Sequence, residues 1–161
     1  PMDDSTDVSA LISTSERDRV ASWIAEAVAD GGSVACGGEL DANGVLMPTV
    51  IVGAKPSMNV CAKEVFGPVV AVQVYDDFDD ALRIANETDF GLQAAVFTAD
   101  ITKGLKAART LDFGGVLINE VPTWRTDQMP YGGLRDSGNT KEGPAYSVRE
   151  MTEERLVILH G

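Results

Sequence analysis

A phenylalanine followed by a glycine occurs three times at nearly equal spacing in the middle of the chain, and this repeat constrains the fold most. Phe66-Gly67, Phe90-Gly91 and Phe113-Gly114 are 24 and 23 residues apart. Each pair comes just before an apolar run, VVAVQVY, LQAAVF or GVLIN, and amphipathic patterns separate the runs. Near-continuous apolar strands that alternate with helices are typical of parallel sheets covered on both faces. The repeat therefore predicts an α/β fold with a parallel β-α-β-α-β unit, helices on both faces and right-handed crossovers.

Other elements are predicted on both sides of this unit. Ser13 and Glu16 form a capping-box pattern ahead of an amphipathic helix that ends at Gly31 and Gly32. Aspartates stand where the later helices should begin, at Asp76 or Asp77 and at Asp100. Three further strands and a short helix are expected from apolar runs between turn residues, and they cover residues 33–36, 46–52, 155–160 and, for the helix, 146–151.

Composition excludes several classes of function. The chain of 161 residues has 13 basic and 25 acidic residues and a net charge of −12, so binding to the phosphates of a nucleic acid is not expected. No apolar run reaches the ~20 residues that span a bilayer, and no leader pattern opens the chain, so we expect no membrane partner and a cytoplasmic location.

Few residues are suited to nucleophilic or metal chemistry. Cys36 and Cys61 are 25 positions apart without a CxxC pattern, which predicts neither a disulfide framework nor a zinc site. Both are interpreted as small apolar residues and not as nucleophiles. His160 is the single histidine, and it lies beside the last residue. Catalytic triads and HExxH zinc sites are therefore excluded, and no metal site is predicted.

Several segments in fixed order resemble the aldehyde dehydrogenase superfamily. The stretch EVFGPVV, residues 64–70, is similar to its EEVFGPVV motif, and ANETDFGLQAAVFTAD, residues 85–100, is similar to ANDTEYGLAAGVFTRD. The segments MPTVI, GGVLIN, MPYGGLRDSGNTKEG and MTEERLVI also resemble family segments. The resemblance covers essentially the whole chain. It implies oxidation of an aldehyde to a carboxylic acid with NAD or NADP through a cysteine thiohemiacetal; relatives that reduce acyl phosphates or acylate coenzyme A are the minor alternative.

Two cofactor-binding residues are implied by the resemblance. Glu64 would hold the nicotinamide ribose and Phe66 would pack against the nicotinamide. Positioning a cofactor's reacting ring is what the protein contributes in such enzymes. Without the resemblance, Glu64 reads as a solvated carboxylate at the entrance of a strand, and Phe66 reads as a core residue.

The region 121–144 has no hydrophobic period and exceeds the usual length of a loop, which indicates a functional or disordered segment. Its aromatic residues favour an ordered loop. The resemblance makes it the substrate entrance, lined by Trp124, Arg125 and Tyr131, although these residues have the alternative role of pinning a glycine-rich loop. Arg125 has the donor geometry for a carboxylate, phosphate or phosphonate. The pattern WRTDQMPYGG resembles subfamilies that act on small polar or anionic aldehydes, which implies a substrate of that class. Arg135 stands where the family usually has lysine.

The resemblance also implies an organisation in which the chain is the C-terminal third of an enzyme. Residues 1–120 would be the incomplete C-terminal part of the catalytic domain, 121–144 the substrate-entrance loop, and 145–161 a terminal helix and a strand that joins copies into a homo-oligomer. The catalytic cysteine, the general base and the cofactor-binding half are not among these residues, so the segment is expected to be inactive alone. The alternative is a non-catalytic oligomerisation or interaction module.

Overall fold

Helices and strands alternate along the residues that the computed structural model describes, 3–161. The helices are α1 (Thr14–Ala29), α2 (Asn59–Ala62), α3 (Phe78–Asn86), α4 (Ile101–Thr110) and α5 (Pro144–Glu150). The strands are β1 (Ser33–Cys36), β2 (Thr49–Val52), β3 (Val69–Val72), β4 (Gln93–Val96) and β5 (Gly115–Ile118). The chain divides into two units, one ending at Asp80 and the other Ala81–Gly161. No helix in the described range is long and apolar enough to cross a membrane.

The first unit packs α1 on a three-stranded sheet. The strand order is β1-β2-β3, in which β1 is antiparallel and β3 parallel to β2. Val20, Ile24 and Ala27 form the buried face of α1 and share a core with Leu46 and Ile51. This spacing of three and four residues is the one that the sequence predicts for a single helix face.

Of the two reciprocal hydrogen bonds of the capping box expected at the N-terminus of α1, one is formed. The backbone N–H of Glu16 donates to Ser13 Oγ at 3.2 Å, which satisfies one of the unpaired donors of the first turn. The carboxylate of Glu16 does not close a capping box but pairs with Arg19, 2.7 Å from its Nη2. The start of the helix is therefore confirmed by one hydrogen bond and not by two reciprocal ones.

The second unit contains two parallel strands joined by α4. Gln93 pairs with Gly115 and Val96 with Ile118, which gives β4 and β5 an unbroken register. Asp100 caps α4, since its Oδ1 accepts the backbone N–H of Thr102 at 2.8 Å. Gly104 lets α4 approach β5, because a Cβ at this position would lie 3.3 Å from the Cγ2 of Ile118.

The predicted α/β class with parallel strands and helices is confirmed, but two details differ. The three apolar runs do not form one sheet: β3 pairs with β2, whereas β4 and β5 form a second sheet. Periodicity does not identify a strand's neighbour, because pairing is a long-range contact. The strand expected at 46–52 begins only at Thr49, after Pro48, which has no N–H for a ladder.

The expectation of a terminal strand at Arg155–His160 is wrong for this single chain. Residues 152–161 have no strand assignment and are exposed, and Leu159 has 90% of its surface accessible. A strand needs a partner for its backbone groups, and no described residue supplies one. The expected helix at 146–151 is confirmed within two residues as α5. The division into 1–120, 121–144 and 145–161 stays a prediction.

Candidate functional site

Residues 63–68 connect α2 to β3, and alternate residues of this Glu64 segment are anchored on α1. Arg19 Nη2 donates to the carbonyl oxygen of Val65 at 2.8 Å, and the Val65 side chain packs against the core. A Cβ on Gly67 would lie 3.3 Å from both methyl carbons of Val20. Glu64 and Phe66 are exposed, and Phe66 has 73% of its surface accessible. The segment therefore holds its backbone on the helix and presents a carboxylate and an aromatic ring to solvent.

Phe66 has an unfavourable backbone conformation. Its φ is 50°, and the left-handed region costs a bulky residue on the order of 1–2 kcal/mol. Burial does not offset this cost, since most of the ring is exposed. The interpretation of Phe66 as a core residue is therefore wrong. An exposed aromatic ring on a strained backbone with anchored neighbours is a candidate for contact with a ligand.

The chemistry of the Glu64 segment is suited to a nucleotide cofactor. A carboxylate has acceptor sites for two hydroxyl donors at once, which is what the two hydroxyls of a ribose require. An exposed ring offers its face or edge to a flat heterocycle. The described residues contain no group of three or more histidines, cysteines, aspartates or glutamates that would hold a metal ion. The roles of Glu64 and Phe66 in binding remain predictions.

Arg125, Tyr131 and Glu142 form a second constellation, here called the Arg125 cluster. Arg125 Nη1 lies 3.3 Å from Glu142 Oε2, and the guanidinium carbon is 4.5 Å from the centre of the Tyr131 ring. The backbones of Tyr131 and Glu142 are bridged in both directions, with N···O distances of 3.2 and 2.6 Å. The region 121–144 is thus ordered by its own contacts, and two of its three predicted entrance residues meet.

Trp124 lies outside the Arg125 cluster. It is 47% exposed and lines a cavity of about 420 Å³ with residues 117–120, where β5 ends. Asn119 shapes this end: its Oδ1 accepts the N–H of Thr98 at 2.7 Å and its Nδ2 donates to the Thr98 carbonyl at 2.9 Å. Ligands of α/β proteins commonly bind beyond the carboxyl ends of parallel strands, so this cavity is well placed for a substrate.

Arg135 fixes the same loop to the two phenylalanine-glycine turns of the second unit. Its Nε and Nη2 donate to the carbonyl oxygen of Phe90, and its Nη1 pairs with Asp112 Oδ2 at 2.8 Å. The guanidinium carbon also lies 5.4 Å from the centre of the Phe113 ring. Forked donors that reach a carbonyl and a carboxylate together belong to a guanidinium and not to an ammonium.

The two cysteines occupy different environments. Cys61 packs against the core of the first unit, and burial raises the pKa of its thiol. A raised pKa lowers the fraction of thiolate, the nucleophilic form. Cys36 ends β1 but is exposed, so the expectation that it packs as a small apolar residue is wrong.

Glu142 and Asp112 were not identified from the sequence as members of these clusters. They lie 17 and 23 positions from their arginine partners, and an exposed acidic residue in an acidic chain carries no local signal of such a pairing. Asn119 had a weak signal, since asparagine is one of the few residues that tolerate a positive φ, here 58°.

Comparison with known proteins identifies relatives along nearly the whole chain. The model of the aldehyde dehydrogenase family matches residues 1–157. The 3-sulfolactaldehyde dehydrogenase of Priestia megaterium is 44% identical over 160 residues, which are 99% of this chain and 33% of that protein. The lactaldehyde dehydrogenase of Methanococcus maripaludis strain C5 is 41% identical over 161 residues, 99% of this chain and 34% of that protein. The chain spans about a third of the length of these relatives.

Solved structures give the same result. Aldehyde dehydrogenase 21 from Physcomitrella patens, in complex with the reaction product succinate, has a TM-score of 0.89 and 38% identity, covering 94% of this chain and 31% of its own. A Mycobacterium tuberculosis aldehyde dehydrogenase complexed with NAD+ has a TM-score of 0.87 and 32% identity, covering 95% and 32%. The glyceraldehyde-3-phosphate dehydrogenase of Methanocaldococcus jannaschii complexed with NADP has a TM-score of 0.86 and 38% identity, covering 92% and 32%.

Proposed function

Since the chain belongs to the aldehyde dehydrogenase family, we propose that it is part of a longer enzyme that oxidises an aldehyde to a carboxylic acid with NAD or NADP. The observation that carries this proposal is the Glu64 segment, in which a strained and exposed Phe66 stands beside an exposed Glu64 on a backbone anchored to α1. Relatives that are about three times as long, two of them solved with NAD+ or NADP, support it.

Exposed apolar surface supports the view that other parts of a protein cover this segment. On β3 and just beyond it, Val70, Val72 and Val74 are 59%, 39% and 86% exposed. Val70 and Val72 alternate along β3 and therefore share one face of the sheet, whereas Val74 lies beyond the strand. In the second unit Ile101 is 71% exposed on α4. Apolar surface of this kind marks contact with another protein surface.

In the proposed enzyme, Glu64 accepts hydrogen bonds from the ribose hydroxyls and Phe66 limits the position of the nicotinamide ring. A bound nicotinamide would supply the acceptor for the hydride that the thiohemiacetal carbon loses. Both residues belong to one anchored segment, so a shift of its backbone would move both contacts together. Holding the nicotinamide ring and the substrate carbon in the geometry of the reaction lowers the entropy cost of hydride transfer.

The nucleophile is proposed to come from outside these 161 residues. In the proposed reaction, a thiolate adds to the aldehyde carbonyl and gives a thiohemiacetal; loss of its hydride to the cofactor would leave a thioester, which an activated water molecule hydrolyses to the acid and the free thiol. Cys61 is unsuited to this role because burial raises the pKa of its thiol. Cys36 ends β1 and does not lie in a segment that resembles the family's catalytic cysteine segment. The segment alone is therefore proposed to be inactive.

The proposed substrate is a small aldehyde with an anionic group, bound at an entrance formed by Trp124, Arg125 and Tyr131. Arg125 is 43% exposed in its side chain and stacked on Tyr131, so its guanidinium is both accessible and oriented. A guanidinium matches the geometry of carboxylates, sulfonates and phosphates. Names of relatives include a 3-sulfolactaldehyde dehydrogenase and a structure that holds succinate, which favour an anionic group, and also a lactaldehyde dehydrogenase, whose named substrate is small and polar but uncharged.

Association through the C-terminal segment is a further part of the proposal. Leu156, Val157, Ile158 and Leu159 follow one another and are 66–90% exposed. Four consecutive apolar residues without a partner strand are suited to pairing with a sheet edge of another copy. A homo-oligomer is therefore proposed, in a cytoplasmic setting where the two free cysteines stay reduced.

The proposal is tested by assaying the full-length protein that carries this segment. Reduction of NAD+ and of NADP+ is followed with carboxylate, sulfonate, phosphate and neutral aldehydes of similar size. We expect turnover with one cofactor or both, higher kcat/KM for the anionic aldehydes, and none with the 161-residue chain alone. Absence of aldehyde oxidation by the full-length protein, or turnover by the isolated chain, would contradict the proposal.

A further inference from the structure

A hairpin turn in the first unit is held by one carboxylate. Leu40 and Leu46 pair in an antiparallel bridge, and Leu46 is buried in the core of this unit. Between them, Asp41 Oδ1 accepts the backbone N–H groups of Asn43 and Val45, both at 2.8 Å. Aspartate side chains that bind the backbone two residues onward commonly fix turns. The Asp41 carboxylate is therefore the group that orders this turn.

Asn43 lies in this turn and directly precedes Gly44. Of the asparagines in the chain, it alone is followed by a glycine. Asn43 is exposed, and its Nδ2 lies 3.5 Å from Asp41 Oδ2, which is long for a hydrogen bond. Glycine has no Cβ and adopts a wide range of backbone angles, here a φ of 76°. No side chain of the following residue therefore hinders attack on the Asn43 amide by the next backbone nitrogen.

We infer that Asn43 is a site of spontaneous deamidation and that the Asp41 carboxylate limits its rate. The backbone nitrogen of Gly44 loses its proton and attacks Cγ of Asn43. A bond forms between this nitrogen and Cγ, the bond from Cγ to Nδ2 breaks, and ammonia leaves a five-membered succinimide. Water then opens the ring at either carbonyl, which gives aspartate or isoaspartate at position 43. This chemistry is independent of the proposed oxidation of an aldehyde.

The folded turn slows the attack, because it engages the nitrogen that must react. The N–H of Gly44 donates to the carbonyl oxygen of Asp41 at 3.0 Å, and this bond must break before the nitrogen loses its proton. The backbone donors, Val45 above all, keep the pKa of Asp41 below its usual value, so the carboxylate is charged and its hydrogen bonds are of the stronger, charge-assisted kind. Deamidation therefore proceeds from the opened turn, whose population Asp41 keeps small.

The test follows the conversion of Asn43 during prolonged incubation of the full-length protein at neutral pH. Mass spectrometry of peptides, with fragmentation, assigns each lost amide to its residue. Asn139 is the internal control, since it is exposed but precedes Thr140, whose β-branched side chain crowds the backbone. We expect Asn43 to convert faster than Asn139 but more slowly than the same asparagine in the synthetic peptide 39–47, which has the turn residues without the fold.

Asp41→Ala tests the role of the carboxylate. Asp30→Ala is the matched control, because it removes the same charge from an exposed residue of the same unit outside the turn. Loss of the charged acceptor should raise the rate at Asn43 about ten-fold, towards that of the peptide, and leave Asn139 unchanged. Asp41→Ser keeps a weaker acceptor and should give an intermediate rate. If the alanine variant does not fold, the serine variant decides the same point against the unchanged protein.

Conversion of Asn43 no faster than that of Asn139 would overturn the assignment of the site. Equal rates in Asp41→Ala and Asp30→Ala, or in Asp41→Ser and the unchanged protein where only the serine variant folds, would show that the carboxylate does not limit the reaction. So would a rate in the unchanged protein equal to that of the peptide, because the turn would then give Asn43 no protection.

Discussion

The guanidinium of Arg135 lies 2.8 Å from the carboxylate of Asp112 and also donates to the carbonyl oxygen of Phe90. Phe90 belongs to the first phenylalanine-glycine turn of the second unit, and Asp112 directly precedes the second. The Arg135 side chain therefore connects both turns to the loop 121–144. The residue has a φ of 54°, which shows that the loop backbone is held in an unfavourable conformation where it makes these contacts.

Replacing Arg135 with lysine should lower the free energy of unfolding by about 1–2 kcal/mol, because one ammonium cannot reach both acceptors and stack on Phe113. Urea unfolding of the 161-residue chain measures the change. Arg149→Lys, the same substitution on exposed α5, is the control and should be close to neutral. Equal losses from the two substitutions would show that the contacts of Arg135 contribute nothing specific.

Phe66 offers a test of backbone strain that is independent of its side chain. Phe66→Gly and Phe66→Ala both remove the ring, but only glycine adopts a φ of 50° without steric cost. The glycine variant should therefore be more stable than the alanine variant by about 1 kcal/mol. Thermal unfolding of the two chains makes the comparison, and an alanine variant of equal or greater stability would argue against strain at this position. Both variants should bind NAD or NADP more weakly in the full-length protein.

The cysteines should differ in reactivity. The raised pKa of Cys61 means that its thiol stays protonated at neutral pH, so iodoacetamide should modify Cys61 more slowly than exposed Cys36. Mass spectrometry of peptides after timed alkylation measures both rates, and Cys36→Ser isolates the slower one.

The same pKa shift fixes the sign of a pH effect on stability. Because folding raises the pKa of Cys61, its contribution to stability is complete below the pKa of an unfolded thiol and is lost as the pH rises through the higher folded value. Faster alkylation of Cys61 than of Cys36 would contradict the burial on which both expectations rest.

Local signals in the sequence determined most helix positions and few of the pairings. Ser13 and Asp100 cap α1 and α4 as expected, because a cap depends on residues two or three positions away. The pairing of β3 with β2 and the Arg125–Glu142 contact depend on segments brought together by folding. No periodicity or spacing encodes such contacts, which is why the sequence predicted neither the sheet division nor the Arg125–Glu142 contact.

The exposed run 156–159 should cause the chain to associate. A version that ends at Glu154 removes the four apolar residues while keeping α5 and every described strand. Sedimentation velocity over a range of concentrations should show that the 161-residue chain associates and that the shorter version is a monomer. If the 161-residue chain is a monomer, or if the two versions associate equally, the interface does not involve the terminal segment.

The role of Glu64 in the proposed enzyme is tested most directly by the rate of hydride transfer in a single turnover. Glu64→Gln keeps the shape of the side chain and removes its charge, so the hold on the ribose should weaken. In the full-length protein we expect the appearance of NADH or NADPH to slow by about ten-fold or more at saturating cofactor. Attack of the thiol on the aldehyde, followed without cofactor, should be nearly unchanged. An unchanged rate of hydride transfer in Glu64→Gln would contradict the claim that this segment positions the cofactor.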